Sequence, residues 1–255
     1  MSHAKLTAQL YTIRDFTKTI EDFDDSMQKV AKIGYTAVQV SGIGPIPHNE
    51  VKAVTDKYGL KICITHVGFD YLQNDLDAAI AQHKLWDCPN VAIGSLPNTY
   101  RGSEAGFKQF AKDATAVGKK LADAGLTFSY HNHSFEFVRF GNRTALEIIY
   151  AESDPRYLMA EIDTYWIQHG GGDVREWILK MKNRMPVIHF KDMVMVDGQQ
   201  TMAEIGEGNL NWTGILEACK AVGVEWYAIE QDVCQRNPFE SLKISYDNLK
   251  AMGVD

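Results

Sequence analysis

Hydrophobic residues in this chain follow two periods that take turns from one end to the other. Residues 6–12, 35–40, 60–65 and 90–93 are short runs rich in β-branched, aromatic and aliphatic side chains. Between them apolar residues recur every three or four positions, as in Ile20, Phe23, Met27, Val30 and Ile33. Alternation by two belongs to strands, whose side chains point to opposite faces in turn, and the longer spacing lines one face of a helix. Further strands are expected at 157–163 and in the segments that lead into His131, His189 and Glu230. Helices are expected at 19–33, 50–58, 75–86, 103–124, 144–152, 173–182, 212–221 and 238–252. A polar loop is expected around Asp197-Gly198.

Four of these helices run through a single glycine into the next strand, at Gly34, Gly59, Gly125 and Gly223. Glycine suits the left-handed conformation that closes a helix. Eight strands alternating with eight helices over about 250 residues predict one (β/α)8 TIM barrel domain over 1–255, in the α/β class. A doubly wound open sheet is the other candidate, but no glycine-rich phosphate loop follows the first strand.

The strands do not end as apolar strands usually do. Leu126-Thr127-Phe128-Ser129-Tyr130 stops in His131-Asn132-His133, with Glu136 three residues on. Later strands end in Asp163, in His189-Phe190-Lys191-Asp192 and in Glu230-Gln231-Asp232. Each of these groups needs a partner once it leaves water. In a (β/α)8 barrel all C-terminal strand ends face one cavity, so Gln9, His66, His131 to Glu136, Asp163, His189, Lys191 and Glu230 converge. Such a set of oxygens and imidazole nitrogens suits one divalent cation of the Mn, Mg, Co or Zn type. His189 and Lys191 lie two apart on one strand and point the same way, so a substrate-holding ammonium stands beside a candidate ligand. The alternative for Lys191 is a pairing with Asp192 or a neighbouring carboxylate. His66 is expected to touch substrate, with a buried structural histidine as the alternative, and Trp166 is expected either to wall a sugar ring or to pack in the core.

Composition narrows the partners. With 255 residues, 45% of them hydrophobic, the chain can bury a full core, and no Pro/Ser-rich linker or low-complexity run divides it. A net charge of -7 disfavours nucleic acid and anionic membrane surfaces. The first residues, Met1-Ser2-His3-Ala4-Lys5, lead straight into strand-like sequence, so a soluble, unexported, cytoplasmic protein is expected. Cys63, Cys88, Cys219 and Cys234 form no CxxC pair and read as free thiols, and Cys234 has no activating partner. Asn142-Arg143-Thr144 fits a glycosylation acceptor that an unexported chain would not use. Gly206-Glu207-Gly208 reads as a turn rather than a phosphate cradle, and His169-Gly170-Gly171-Gly172 as a loop. His3, His48 and His83 are expected in solvent.

At Tyr130-His131-Asn132-His133-Ser134-Phe135-Glu136-Phe137, Ile162-Asp163-Thr164-Tyr165-Trp166, His189-Phe190-Lys191-Asp192, Ile205-Gly206-Glu207-Gly208 and Ile229-Glu230-Gln231-Asp232, the chain resembles the sugar phosphate isomerase/epimerase family of xylose isomerase-like TIM barrels. The resemblance runs over nearly the whole length. It implies one divalent metal held by carboxylates after strands five, six and eight and a histidine after strand seven. The last three positions fall on Asp163, Glu230 and His189. Many epimerases carry the first Glu directly at the end of strand five, where this chain has His131-Asn132. Glu136 is therefore taken as the ligand, with His131 or His133 as substitutes.

The resemblance further implies an enzyme that abstracts a proton next to a carbonyl of a sugar or keto-sugar, with Glu230 as base, a histidine (His131 or His133) as its partner, and Lys191, His66, Asn132, Trp166 and Gln9 around the substrate. An imidazole at strand five equally suits dehydration or hydration of a keto-sugar or keto-inositol. An apurinic-site endonuclease and a non-catalytic sugar-binding protein are the readings from other classes. No Arg/Lys-rich phosphate pocket stands out, which favours an unphosphorylated polyol or sugar. Oligomeric state is left open, a homo-oligomer included.

Overall fold

The computed structural model describes residues 4–254, so His3 lies outside the described residues. Eight parallel strands form its centre: β1 Lys5–Gln9, β2 Ala37–Val40, β3 Lys61–His66, β4 Asn90–Ile93, β5 Thr127–His131, β6 Met159–Glu161, β7 Val187–Phe190 and β8 Trp226–Ile229. They hydrogen-bond in the order β6-β5-β4-β3-β2-β1-β8-β7. The two ends of that row meet at a single parallel bridge, Asp163 to His189, where the His189 N–H donates to Ile162 O at 2.8 Å. This is the expected TIM barrel, nearly closed, and its seam runs between two of the residues singled out above.

The helices lie outside the strands: α1 Ile20–Ile33, α2 His48–Lys57, α3 Phe69–Asn74, α4 Leu76–Leu85, α5 Glu104–Asp123, α6 Ala145–Glu152, α7 Thr164–His169, α8 Val174–Lys180, α9 Trp212–Val222 and α10 Pro238–Ala251. Several starts are fixed by side-chain caps. Thr19, Ser103, Thr144 and Asp173 each accept from a backbone N–H in the first turn of the helix they open, and Thr144 completes a capping box with Glu147. At the other ends, all four junction glycines have positive φ, and at Gly34 a Cβ would also run into the Tyr246 ring.

Three local expectations fail for identifiable reasons. The first strand ends at Gln9 rather than residue 12, because the Gln9 side chain accepts the Tyr11 N–H and turns the backbone into a 3-10 segment, Leu10–Phe16. Two short helices, α3 and α7, were not expected; α7 starts directly on Asp163, whose carboxylate caps the Trp166 N–H. Residues 192–203 are not a loop but an antiparallel hairpin, Asp192–Val196 with Gln199–Ala203. Asp197 (φ 49) and Gly198 (φ 77) both take the left-handed conformation of its two-residue turn, for which Asp-Gly is a strong signal.

Inside the barrel a small apolar cluster of Ala37, Cys63, Ile64, Ala92, Val187, Trp226 and Ala228 brings together strands that are not neighbours in the sheet. Small side chains there leave space for the longer polar ones nearer the C-terminal strand ends. The main core fills the layer between strands and helices with Phe23, Phe107, Phe110, Phe128, Ile148 and Ile149, all fully buried. All four cysteines are free; three are buried and Cys234 is half-buried. Burial pushes the Cys63 thiol up to about 12. His83 is not in solvent. It is fully buried, its Nδ1 donating to Ala79 O and its Nε2 accepting from the Thr65 hydroxyl, each at 2.7 Å. His48 is exposed at the start of α2. Among the described residues no helix is long and apolar enough to cross a membrane.

Candidate metal centre and active site

The period-two geometry of the strands decides which polar side chains meet. Gln9, Gln39, His66, His131, Glu161 and His189 come from six strands yet bond across the lumen, so all six point inward. Gln39 on β2 reaches Glu161 on β6 at 3.0 Å and His189 on β7 at 2.8 Å. His66 on β3 reaches Glu161 at 2.7 Å. The positions two further along continue on the same face: Asp163 follows Glu161, Lys191 follows His189, and Asp232 follows Glu230.

Above this layer four groups converge. Ligand-type atoms of His131, Asp163, His189 and Glu230 all lie within 4.8 Å of one another, and all four residues are buried. The hydrogen bonds around them fix which nitrogens are free. His131 Nδ1 donates to Gly94 O at 3.1 Å, so in a neutral ring the Nε2 lone pair faces the Asp163 carboxylate at 3.2 Å. Burial, with help from His189, pushes the His131 pKa down and keeps that ring neutral. Two acceptors facing each other at this distance call for a cation between them.

His189 Nδ1 faces Glu230 Oε2 at 2.9 Å. Burial alone would lower its pKa, but Glu161 and Glu230 on its two sides outweigh that and raise it to about 10. Lys191, fully buried, pairs with neighbouring carboxylates, the alternative expected for it, though not with Asp192. Its ammonium touches Asp163 at 3.1 Å, Glu230 at 2.9 Å and Asp232 at 2.8 Å. Burial pushes Glu230 upward, yet Lys191 and His189 hold it well below the usual carboxylate range. Asp232 moves the other way: burial and the neighbouring Glu230 raise it to about 6. Four buried or largely buried carboxylates (Glu161, Asp163, Glu230, Asp232) thus face the Lys191 ammonium and the His189 ring, whose second proton a bound cation would displace. A divalent cation would balance the remaining negative charge, which is costly to leave uncompensated out of water. The donor set, mixed imidazole and carboxylate, fits such an ion.

The rim is aromatic. His133 packs against Phe135 and Trp166, with ring centroids 5.7 and 5.2 Å away, and Lys191 Nζ lies 5.5 Å from the Trp166 ring centroid. Burial pushes His133 down to about 3, and among the described residues neither its Nδ1 nor the Trp166 Nε1 has a hydrogen-bond partner. Asn132 is used by the backbone, accepting the Asp163 N–H at 3.1 Å, and Gln9 contacts His66 at 3.4 Å. A cavity of about 250 Å³ beside the β2 and β3 ends is lined by Ser41, Gly44, Thr65 and Trp86. Of the residues in this network only His66 borders it.

Glu136 stands apart from the cluster. It is fully buried, accepting the Tyr130 hydroxyl on one oxygen and the His133 N–H at 3.0 Å on the other. Five residues beyond His131, its carboxylate is turned back into the loop, and His131 occupies the place expected for it. Gln39, Glu161 and Asp232 lie outside the expected set. Their signal was the same alternation: each is a polar residue at an inward position of a buried strand, two before or after a residue already singled out or, for Gln39, the last polar side chain of β2.

Glu136 supplies a pH test. Burial raises it to about 7, against an ordinary value of 4.5 in an unfolded chain. The folded protein keeps this proton in the interval where the unfolded chain has released it, so the Glu136 contribution to stability falls as pH rises from about 4.5 to 7. Glu136→Gln should flatten that slope, losing stability at pH 5 and recovering part of it at pH 8, while Mn2+ affinity stays within about threefold, well short of the roughly 10–100-fold that even an outer partner of a ligand commands. Urea titrations at both pH values and calorimetry with Mn2+ check the two parts.

The sequence has known relatives. The family model for the xylose isomerase-like TIM barrel matches residues 27–251. An inosose dehydratase of Geobacillus thermodenitrificans (strain NG80-2) is 27% identical in an alignment 144 residues long that covers 49% of this chain and 47% of that protein. The match therefore spans about half the length of that curated relative. A solved sugar phosphate isomerase/epimerase from Parabacteroides distasonis ATCC 8503 superposes with a TM-score of 0.82 at 24% identity, covering 100% of this chain and 96% of the other. A D-allulose 3-epimerase from Methylomonas sp. superposes with a TM-score of 0.75 at 11% identity, covering 98% of each chain. At these identities the two structures show the shared fold. The length of the family match shows more: this chain belongs to the xylose isomerase-like TIM barrel family.

Proposed function

We propose that the chain is a divalent-metal-dependent isomerase or epimerase that moves a proton next to the carbonyl of a small sugar or keto-sugar. His131, Asp163, His189 and Glu230 would hold the ion. One observation carries the reading: these four buried donors converge, with a neutral imidazole lone pair aimed at a carboxylate and an excess of negative charge around them. A divalent ion bound there supplies Lewis acidity, which makes the carbon-bound proton beside a substrate carbonyl easier to remove.

The chain's own groups divide the remaining work. Glu230, kept ionised by Lys191 and His189, takes the carbon-bound proton and returns it. The Lys191 ammonium, one bond from Glu230 and Asp163, holds a substrate oxygen close to the base. His133, neutral and with Nδ1 unpartnered, shuttles an oxygen-bound proton between neighbouring substrate oxygens. Trp166, packed on His133, gives the sugar an apolar face and keeps water from the reacting carbon. Among the described residues no Arg and no Lys other than Lys191 pairs with the carboxylates of the cluster, and this supports an unphosphorylated substrate.

A dehydratase reading is favoured by one feature. His131 rather than a glutamate stands at the strand-five position, so the cluster lacks the second metal-side base that inversion at carbon would use. Removal of the α-proton by Glu230 and its transfer to a departing hydroxyl, which leaves as water, use the same groups. The inosose dehydratase relative fits that chemistry. Deuterium uptake from D2O by a panel of keto-sugars and keto-inositols, followed by mass spectrometry, separates exchange alone from loss of water. The protein stripped with EDTA should lose at least about 100-fold in rate, the scale of acid/base and Lewis-acid contributions, and regain it with Mn2+. Full activity in the stripped protein would overturn the proposal.

A further inference from the structure

Beneath the proposed ion lies a carboxylate that it does not use. Glu161 is fully buried on β6 and contacts two histidines at once. Its Oε2 lies 2.7 Å from His66 Nε2, and its Oε1 lies 3.0 Å from Gln39 Nε2 and 3.1 Å from His189 Nε2. A carboxylate only accepts, so the nitrogen of the Gln39 amide must be the end that faces it. The amide oxygen is thereby aimed at His189 Nε2, 2.8 Å away. His189 Nε2 must then be an N–H, and its remaining nitrogen, Nδ1, faces Glu230 and Asp163 at 2.9 and 3.9 Å. On the other side the Gln9 amide faces His66 Nδ1 at 3.4 Å, which leaves His66 Nε2 as the donor to Glu161.

We propose that Glu161 and Gln39 are positioning residues that select the His189 tautomer, so that the Nδ1 lone pair points into the metal site while His66 is clamped as its neighbour. The inference rests on the metal-site reading above but names residues outside the ligand set. His66, Glu161 and His189 also form a compact group of ligand-type atoms. They do not make a second cation site, because the His189 nitrogen that would serve it already donates to the Gln39 oxygen. Stacking of the His66 and His189 rings, with centroids 5.2 Å apart, needs the same fixed orientation. Gly94 permits it: a Cβ there would crowd His66 Nδ1 at 2.7 Å.

The test uses Mn2+ titrated into the metal-free full chain by calorimetry, and imidazole 15N spectra of the same protein with Zn2+. Wild type should bind one Mn2+ with His189 protonated at Nε2. Glu161→Gln replaces an acceptor oxygen with a donor and frees Gln39 to turn over. It should weaken Mn2+ binding about 10–100-fold, the scale for outer partners of a ligand histidine, and redistribute the His189 tautomer. Glu161→Asp should restore part of both. Gln39→Leu tests the same chain of contacts where Glu161→Gln does not fold. Unchanged affinity and an unchanged tautomer in either folded variant would overturn the proposal. So would two Mn2+ per wild-type chain with one lost in Glu161→Gln, which would make the lower group a second site. If wild type binds no Mn2+, the metal reading itself fails, and in the metal-free proteins, where His189 holds both protons, the 15N shift of its Nε2 still shows whether Glu161 and Gln39 orient the ring.

Discussion

Glu230→Gln should lower turnover by about 10³-fold, within the roughly 10²–10⁴-fold that a positioned base contributes, with little change in fold. The substitution keeps the shape and leaves an oxygen that can accept from Lys191 or His189. It removes the charge that Lys191 and His189 both face. It also removes one of the four clustered donors, so Mn2+ content measured by elemental analysis should fall together with turnover. The two readouts separate the roles. If Glu230 were a ligand only, excess Mn2+ would restore most of the rate; if it is also the base, saturating Mn2+ leaves the variant slow. Retention of more than about a tenth of wild-type proton exchange in D2O would remove Glu230 from the base role, since that is less than the smallest loss expected of a general base. His133→Gln provides the contrast. It should slow conversion while sparing exchange of the carbon-bound proton, because His133 lies outside the four-donor cluster and is assigned to oxygen-bound protons.

Much of this arrangement is legible in the residues, and the parts that are not have physical causes. The strand ends were readable because a buried strand tolerates histidine or carboxylate only where partners wait, and the barrel supplies those partners from strands far apart in sequence. Glu161 and Gln39 are harder to see. They sit one layer deeper, inside otherwise apolar strands, and only the cross-lumen bonds between β2, β6 and β7 show that they belong to the site. Glu136 misleads for the opposite reason. Sequence proximity to His131 brings it near, but a 3-10 turn at Phe135–Phe137 and the Tyr130 hydroxyl commit its carboxylate to the loop. The order of residues within a turn does not reveal which way a side chain is turned. His83 shows the same limit, since only the partner Thr65 on β3 distinguishes a buried histidine from an exposed one.

Asp192→Ala should be among the most damaging single substitutions for stability, although the residue adjoins Lys191. Alternation along the strand turns Asp192 away from the site that Lys191 faces, into the base of the hairpin and the loop after it. There its carboxylate is fully buried and collects five donors: the N–H groups of Met193 (2.7 Å), Gly206 (2.9 Å), Gly208 (3.1 Å) and Leu210 (3.2 Å), and the Trp212 indole N–H (2.6 Å). The Gly206-Glu207-Gly208 segment is thus an anion cradle after all, with a side chain of the same protein as its anion. Gly206 is needed for its positive φ of 87°, and Gly208 because any Cβ would overlap the Asp192 carboxylate. Each buried donor left without a partner costs about 1–3 kcal/mol, so even if water reaches several of the five, a loss of about 4 kcal/mol or more is expected. Asp192→Asn should recover only part of it, since its NH2 would face backbone donors. Urea unfolding followed by Trp fluorescence measures the loss as a lowered midpoint at unchanged slope. A cost below about 1 kcal/mol, the size of one ordinary hydrogen bond, would mean that the loop between the hairpin and α9 holds its shape without this carboxylate.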